Sequence, residues 1–321
     1  MAAGTHPLSP FAARNPKSMQ SPNQRTVVTI GNFDGVHLGH RRLVEAAVAE
    51  AGETGAEAVA VTFEPHPVSY FKGAAPETFR LQTPDGRDAI LTALGLSCVD
   101  RLTFDERLTG MSPDAFVELL VSRHPAIAGV HVGGDFRFGS ARAGDTAMLR
   151  ALGARHGFTV TVHEAVKHLG ETVSSSRVRG ALRSADMSLV AALLGRPYAI
   201  AGEIASGHGR GRTLGVPTLN LYPRGHLLPA HGVYVATIVS EAQVISAVAN
   251  LGVRPTFADD PRISLEAHAI EEFTAFEGPV DVELHSYLRP EQRFVDTAAL
   301  RTQIGLDISS AAAWHTANPR L

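Results

Sequence analysis

Two kinds of apolar pattern alternate over the first half of the chain. The run "TVVTI" at 26–30 is continuously apolar or β-branched, which is typical of a strand buried on both faces. The stretch "HRRLVEAAVAEAGETG" at 40–55 spaces its apolar residues at helical intervals. Strand patterns in "AEAVAVTF", "GVHVGG" and "FTVTVHEAV" then alternate with helix patterns in "PDGRDAILTALG", "SPDAFVELLVSRH" and "DTAMLRALGARHG". This alternation predicts a mostly parallel sheet with helices on both faces.

The pattern changes after the helical segment "SSSRVRGALRSADMSLVAALLGRPY" at 174–198. Short strands bounded by Gly and Pro follow in "YAIAGEIASG", "GVYVATIV", "ISAVANLG", "ISLEAHAI" and "VDVELHSYL", and "DTAALRTQIGLDISSAAAW" predicts a closing helix. The predicted fold class is α/β plus all-β. A doubly wound, Rossmann-like domain at 26–186 precedes a small antiparallel β-barrel domain with a C-terminal helix at 187–321.

Composition narrows the classes of protein to consider. The formal net charge of -3 gives no indication of a nucleic-acid or membrane partner, and a single cysteine excludes an intramolecular disulfide framework. No apolar run approaches the length of a membrane-spanning helix. Residues 1–25 contain no acidic side chain and predict a disordered tail, with an organelle transit peptide as the alternative. We expect a cytoplasmic protein that is a monomer or a weak homo-oligomer.

The stretch "GNFDGVHLGH" at 31–40 joins the first strand to the first helix. Glycines at such a junction let the backbone turn tightly and approach a ligand, and the N-terminus of a helix favours anions. His37 and His40 are three residues apart, so on a helical turn they share one face. They could donate hydrogen bonds to phosphate oxygens. The stretch lacks the Gly-Lys-Ser/Thr of a Walker-type loop, so it predicts phosphate chemistry of another kind.

Three further stretches of the first domain carry candidate site residues. "VTFEPHP" at 61–67 leaves a strand end through two prolines, where Phe63 could line an aromatic ligand and His66 and Pro67 could shape the site. "VGGDFRFG" at 132–139 also leaves a strand end and offers aromatic and backbone surface. "SSSRVR" at 174–179 offers hydroxyls and arginines ahead of a helix, with Ser175 and Arg179 the candidates for binding a polyphosphate.

The second domain contains "SGHGRGRTLGVPTLNL" at 206–221. The Thr218 hydroxyl and the Asn220 amide are hard oxygen donors suited to Mg²⁺. Backbone amides of the preceding loop, with Arg210 or Arg212, could wrap phosphates. The stretch therefore predicts a site for phosphate groups and a metal ion.

These stretches together resemble a known family. "GNFDGVHLGH" is similar to the ATP-binding signature of the nucleotidylyltransferase superfamily, and its "GNFDG" resembles the prokaryotic FAD synthetase branch. The other three stretches of the first domain fit that branch in order and spacing, and "PTLN", "ANLGVRPTF" and "SLEAHAI" resemble riboflavin kinase. The resemblance covers Thr26 to about Asp307. It implies ATP-dependent phosphorylation of riboflavin to FMN by the barrel, followed by adenylylation of FMN to FAD by the first domain, with Mg²⁺ as cofactor.

The resemblance also implies roles for individual residues. Asp135 and Phe136 would belong to the wall of the flavin or adenine site, Glu266 would be the catalytic base of the kinase, and Arg289 would lie near the flavin. The complete expected catalytic set is His37, His40, Arg179 and Glu266. The expected ATP-binding set is Gly31, Asn32, Phe33, Ser175, Gly207, Gly209, Arg210 and Gly211. The expected flavin-binding set is Phe63, His66, Pro67, Asp135, Phe136 and Arg289, and the expected metal ligands are Thr218 and Asn220.

Departures from the family pattern keep alternatives open. Gly134 stands where the family usually has Glu, and Phe276-Glu277-Gly278 stands where it usually has Leu-Tyr-Gly. A relative with only one of the two activities, or one acting on a modified flavin, is the first alternative. A non-catalytic flavin sensor is the second, and cytidylyl or pantetheine-phosphate transfer is a third that leaves "PTLN" unexplained. Glu266 also fits a solvent-facing position of an alternating strand.

Overall fold

The computed structural model describes residues 24–204, 218–254, 262–271 and 279–319. Within these ranges the chain forms two compact units. The first comprises residues 24–79 and 84–175, and the second comprises residues 80–83 and the described residues from 176 onward. The domain boundary that the sequence predicts at residue 186 stays a prediction. A search of the described residues finds no helix with the length and hydropathy needed to span a membrane.

A five-stranded sheet forms the centre of the first unit. Its strands are β1 (Thr26–Ile30), β2 (Glu57–Glu64), β3 (Cys98–Thr103), β4 (Ile127–Gly133) and β5 (Thr159–His163). They lie in the order β3-β2-β1-β4-β5, and every neighbouring pair is parallel. The chain thus winds outward from β1 in one direction and then from β4 in the other, which confirms the predicted doubly wound architecture.

Helices cover the sheet of the first unit. They are α1 (Leu38–Thr54), α2 (Pro67–Lys72), α3 (Pro84–Ala93), α4 (Glu106–Gly110), α5 (Pro113–Arg123) and α6 (Thr146–His156). The start of α5 is as predicted, because the Ser112 hydroxyl accepts the Ala115 N–H at 3.2 Å and Pro113 is the first helical residue. The sequence analysis missed strand β3 of the sheet, the short helices α2 and α4, and the hairpin of β6 (Lys167–His168) and β7 (Glu171–Thr172).

Helix α1 continues past Gly52 and ends before the next glycine. Gly52 lies inside the helix, and the chain leaves it at Gly55, which adopts a left-handed backbone (φ 65°) and donates its N–H to the Ala51 carbonyl. Only a residue without Cβ takes that conformation cheaply, so Gly55 is the C-terminal signal of α1.

Both faces of the sheet are packed, as the continuous apolar strands predict. One face presents Val28, Ile30, Val61, Val130 and Val132 to the side chains of α5 and α6. The opposite face presents Val27, Ala58 and Ala60 to α1 and α3. Small residues on the second face let α1 approach the sheet closely.

The second unit is a closed antiparallel barrel. Its strands are β8 (Tyr198–Ile204), β9 (Thr218–Pro223), β10 (Gly232–Val239), β11 (Val244–Arg254), β12 (Arg262–Ala269) and β13 (Asp281–Arg289). Around the barrel they follow the order β10-β11-β12-β9-β8-β13. Closure of the sheet leaves no open edge, and the predicted barrel is confirmed.

Among the residues that the structure describes from 175 onward, the helices are α7 (Ser175–Arg183), α8 (Met187–Leu194) and α9 (Thr297–Ala317). Helix α9 is the predicted closing helix. Its Ala311 and Trp314 pack on Val233, Val235 and Val248, which project from the outer face of β10 and β11. Helix α9 therefore covers the apolar part of the outer barrel face on β10 and β11, and the outer face of β9 and β12 carries polar side chains.

Candidate active sites

His37 fixes the start of helix α1 in the first unit. It is the N-cap residue, and its Nδ1 accepts the backbone N–H of His40 at 3.4 Å. A neutral imidazole that accepts through Nδ1 carries its proton on Nε2. His37 therefore offers a hydrogen-bond donor beside the amides of a helix N-terminus, where an anion is stabilised.

The structure brings the two predicted histidines together. The rings of His37 and His40 are stacked, with centroids 3.7 Å apart and an interplanar angle of 16°. Gly39 lies between them, and a Cβ added there would stand 3.1 Å from Cε1 and 3.2 Å from Nδ1 of His37. The His-x-Gly-His spacing thus has a steric reason, because a side chain at Gly39 would displace the ring of His37.

An unusual backbone path precedes these histidines. Phe33 and Val36 have φ angles of 51° and 39°, and Gly35 between them has 86°. Left-handed conformations cost free energy for residues with a Cβ, and the burial of both side chains in the core holds them in place. The Gly31 N–H donates to the Val61 carbonyl at 3.1 Å, and Asn32 is exposed. The loop is therefore preorganised by its anchoring to β2.

Ser175 ties the start of α7 to the same loop. Its hydroxyl donates to the Asp34 carbonyl at 2.8 Å. In this arrangement the hydroxyl proton is engaged, so Ser175 orients the loop and its direct contact with ATP stays a prediction. Arg179 lies one helical turn further along α7 and is half-buried. Its contact with a nucleotide also stays a prediction.

The loop after β2 carries the predicted residues around a flavin. His66 is buried and caps α2 by accepting the Val68 N–H through Nδ1 at 3.1 Å, and Pro67 is the first residue of that helix. Phe63 packs edge-on against Phe104 at 5.7 Å. His66 and Pro67 are thus placed to shape the loop, whereas Phe63 presents an aromatic surface.

Aromatic side chains that the sequence analysis missed extend this surface. Phe104 also contacts Tyr70 and Phe71 edge-on, at 5.4 and 5.7 Å. Phe71 is 68% exposed. Phe104 follows the end of β3, next to β2 in the sheet, so the signal was its position after a strand at the carboxyl edge.

The loop after β4 places Asp135 in solvent and Phe136 at a half-buried position, stacked on Phe138 with centroids 5.6 Å apart. Gly134 donates its N–H to the His163 carbonyl at 3.0 Å. An added Cβ at Gly134 meets only that carbonyl oxygen, at 3.7 Å, an ordinary contact. The backbone therefore accommodates the Glu that the family usually has here.

Polar residues of the second unit converge on the outer face of β9 and β12. In the antiparallel register Asn220 faces Glu266 and Thr218 faces His268. The Thr218 hydroxyl and His268 Nδ1 are 2.9 Å apart. The hydroxyl and amide oxygens of this group, beside a carboxylate, form a donor set that fits Mg²⁺. Burial lowers the pKa of His268 against the opposing influence of Glu266 and Asp307, which favours a neutral ring.

Arg289 is held rigidly at the end of β13. Its Nε and Nη2 donate to the two oxygens of Asp307 at 2.9 and 2.7 Å, and Gln303 donates to the same carboxylate at 2.9 Å. The sequence analysis missed Asp307 because it lies 18 residues away in α9 and carries no local motif. A bidentate pair of this kind orients the guanidinium plane.

Four predicted ATP-binding residues lie outside the described part of the chain, as does the segment 276–278. They are Gly207, Gly209, Arg210 and Gly211. Their roles stay predictions.

Both halves of the chain match described families. Residues 19–177 match the family described as FAD synthetase, and residues 194–315 match the family described as riboflavin kinase. A parallel α/β unit with a His-x-Gly-His loop, followed by a barrel with a set of polar oxygen donors, defines a two-domain nucleotidyl- and phosphotransferase. The first match ends at residue 177 and the second begins at residue 194.

Relatives match over nearly the full length. The chain is 38% identical over 301 residues to a bifunctional riboflavin kinase/FMN adenylyltransferase from Pseudomonas fluorescens, covering 92% of this chain and 95% of the relative. It is 35% identical over 291 residues to the protein of the same description from Escherichia coli K12, covering 90% and 92%. The chain belongs to the bifunctional riboflavin kinase/FMN adenylyltransferase family.

A solved structure carries a different description. It is described as a macrolide-efflux protein from Streptococcus pneumoniae and matches with a TM-score of 0.80 and 25% identity, over 96% of this chain and 98% of that one. This match supports the order of elements within the described residues of each unit. The family assignment rests on the two family matches and on the more similar relatives.

Proposed function

We propose that the chain catalyses two consecutive ATP-dependent reactions, the phosphorylation of riboflavin to FMN and the adenylylation of FMN to FAD. The observation that carries this proposal is that each unit holds its own cluster of the required groups. The stacked His37 and His40 lie in the first unit, and Thr218, Asn220 and Glu266 lie on one barrel face in the second. We assign residues 26–186 to the adenylyltransferase and residues 187–321 to the kinase.

In the adenylyltransferase, a phosphate oxygen of FMN attacks the α-phosphorus of ATP. The new P–O bond forms as the bond between the α-phosphorus and the bridging oxygen breaks, and pyrophosphate leaves. His37 and His40 donate hydrogen bonds to phosphate oxygens that gain charge, and the N-terminus of α1 adds its partial positive charge. Arg179 pairs with the polyphosphate. Phe63, Asp135 and Phe136 provide the wall against which the ring systems are positioned.

In the kinase, the ribityl 5′-hydroxyl of riboflavin attacks the γ-phosphorus of ATP and ADP leaves. Glu266 accepts the hydroxyl proton. Thr218 and Asn220 would hold Mg²⁺, which would supply neutralisation of the phosphate charge. The neutral His268 orients the Thr218 hydroxyl through their hydrogen bond. Arg289, fixed by Asp307, contacts the flavin substrate.

We further propose that the protein acts in the cytoplasm as a monomer or a weak homo-oligomer without a nucleic-acid partner. The net charge of -3 and the small-molecule chemistry of both sites support this. Sedimentation at several protein concentrations tests the oligomeric state, and a stable dimer at the lowest of them would contradict it.

The test of the two reactions is chromatography of flavins after incubation with ATP and Mg²⁺, starting separately from riboflavin and from FMN. We expect FMN and then FAD from the first, and FAD from the second. The double variant His37→Ala, His40→Ala should still form FMN but no FAD. Glu266→Ala should form FAD from FMN but no FMN from riboflavin. Loss of both reactions in a folded single-site variant would contradict the assignment of two separate sites.

A further inference from the structure

A hydrogen-bonded chain of three side chains runs between helix α1 and the sheet of the first unit. His131 Nε2 lies 2.8 Å from a carboxylate oxygen of Glu50, and His131 Nδ1 lies 2.9 Å from Nε2 of His163. The two rings are stacked at 24° with centroids 5.2 Å apart. His131 is 3% exposed, so the middle of the chain is shielded from water. None of these residues belongs to the motifs that assigned the function.

Gly129 on β4 leaves the space that the carboxylate of Glu50 occupies. A Cβ at Gly129 would stand 2.2 Å from Oε1 of Glu50. The carboxylate therefore occupies the space that a side chain on β4 would fill. Helix α1, which begins at the phosphate loop, is joined to β4 and β5 through this chain.

The chain determines which nitrogen of His163 carries a proton. An ionised Glu50 only accepts hydrogen bonds, so His131 donates to it through Nε2–H. In its neutral form His131 then has an unprotonated Nδ1, which accepts Nε2–H from His163. Burial, His131 and Arg42 each lower the pKa of His163 and favour its neutral ring. The second nitrogen of His163, Nδ1, is consequently a lone-pair acceptor without a partner among the described residues.

His163 lies at the carboxyl end of β5. In open parallel sheets the binding crevice is at the carboxyl ends of the strands, where the strand order reverses. Here the reversal falls between β1 and β4. His163 is the last residue of β5 and is paired with Gly133 at the end of β4, so its neighbour in register has no side chain, and the β4 side chain beside its ring is that of His131. His163 is half-buried, with the charge of Arg42 near it.

We propose that His163 is a specificity-determining residue of the adenylyltransferase site, where its Nδ1 accepts a hydrogen bond from the 6-amino group of adenine. Glu50 and His131 are positioning residues that hold His163 in the accepting tautomer. A guanine base has a carbonyl oxygen at this position, so two acceptors would face each other and GTP would be rejected. This inference deepens the proposed function and rests on it.

The tautomer is tested first, without reference to activity, by NMR of the full chain labelled with ¹⁵N in histidine. The His163 signals are identified by their loss in His163→Leu. We expect Nε2 protonated and Nδ1 unprotonated at neutral pH, and an upfield shift of the Nδ1 signal on addition of ATP but not of purine riboside triphosphate, which lacks the amino group. Glu50→Leu removes the terminal acceptor and should mix the two tautomers. A protonated Nδ1 in the wild type, or equal shifts with both nucleotides, would overturn the inference.

The second test measures kcat/KM for the conversion of FMN by either nucleotide. The wild type should prefer ATP over purine riboside triphosphate by roughly 3- to 10-fold, the range for one neutral hydrogen bond. His163→Leu should reduce that ratio to about 1, mainly by slowing the reaction with ATP. His156→Leu, an exposed histidine at the end of α6, is the matched control and should keep the wild-type ratio.

Other outcomes distinguish a failure of the inference about His163 from a failure of the proposed function. A ratio in His163→Leu equal to that of the wild type, or an equal loss with both nucleotides, would show a structural role only and overturn the inference. A wild type that converts no FMN would contradict the proposed function, and the NMR titration would then still decide whether His163 accepts from adenine.

Discussion

A buried carboxyl group on the barrel should make the stability of the second unit depend on pH. Asp281 begins β13, is 4% exposed, and its Oδ2 has no hydrogen-bond partner among the described residues. Burial, with a further contribution from Glu283, raises its pKa from the ordinary 3.8 to about 7. Glu283 lies two residues along the same strand, on the same face, and is 9% exposed.

The sign of the effect follows from proton linkage. Between about pH 4 and pH 7 the folded chain keeps a proton on Asp281 that the unfolded chain releases, so the free energy of unfolding falls as the pH rises. Above about pH 7 both states are ionised at this group and the loss is complete. Each tenfold difference between the acid dissociation constants of Asp281 in the folded and unfolded states corresponds to about 1.4 kcal/mol. The full loss in the free energy of unfolding is therefore about 4 kcal/mol. Asp281→Asn removes the charge and should recover that amount at high pH.

The assay is urea unfolding followed by the fluorescence of Trp314, the single tryptophan of the chain, which packs on the barrel. Asp281→Asn should exceed the wild type in free energy of unfolding by about 4 kcal/mol at about pH 8 and by well under half of that near pH 5. Glu241→Gln, at an exposed carboxylate of the same unit, is the control and should show no such trend. A stability difference for Asp281→Asn that does not change with pH would refute the reasoning.

Two further substitutions, one of them with a matched control, test the two sites. Gly39→Ala should lower kcat/KM for FAD formation by more than about tenfold, because its Cβ would push against the His37 ring, while the kinase rate stays unchanged. Gly52→Ala in the same helix meets nothing within 4 Å and should stabilise the protein by about 0.5–1 kcal/mol with both rates intact; a loss of FAD formation there would disprove the steric explanation. Arg289→Lys should raise KM for riboflavin roughly 3- to 10-fold, because Lys cannot keep the bidentate pair with Asp307. An unchanged KM in riboflavin titrations would contradict that role.

The elements of the fold were predictable because their signals are local. A buried parallel strand is a short apolar run, and a helix is a periodic one, so the alternation could be recognised without any contact information. The pairing of His37 with His40 was predictable for the same reason, since a helical turn brings residues three apart onto one face. What was missed in the first unit was short or partly solvent-facing, namely the edge strand β3, the helices α2 and α4, the hairpin of β6 and β7, and the aromatic position Phe104.

The rest of each site depends on register between strands that are far apart in sequence. Thr218 and His268 lie 50 residues apart, and nothing local to either indicates their 2.9 Å contact. Once Asn220 is known to face Glu266 in an antiparallel pair, however, the partner of Thr218 follows at once, because both strands advance by two residues in opposite directions.

Strand register also determines the contacts of side chains in the parallel sheet. The pairing of Gly133 with His163 places His131 beside Thr161 and leaves the ring of His163 next to a residue without a side chain. Glu50 then completes the hydrogen-bonded chain from a helix, at a position that depends on the rotation of α1 about its axis as well as on its distance from the sheet. A sequence contains the residue types for such a network. Which of them meet depends on the register of each strand pair and on the rotation of each helix about its axis, and both are determined by packing. Sites built within a single motif are therefore visible in a sequence, whereas sites built across elements become visible only in the folded structure.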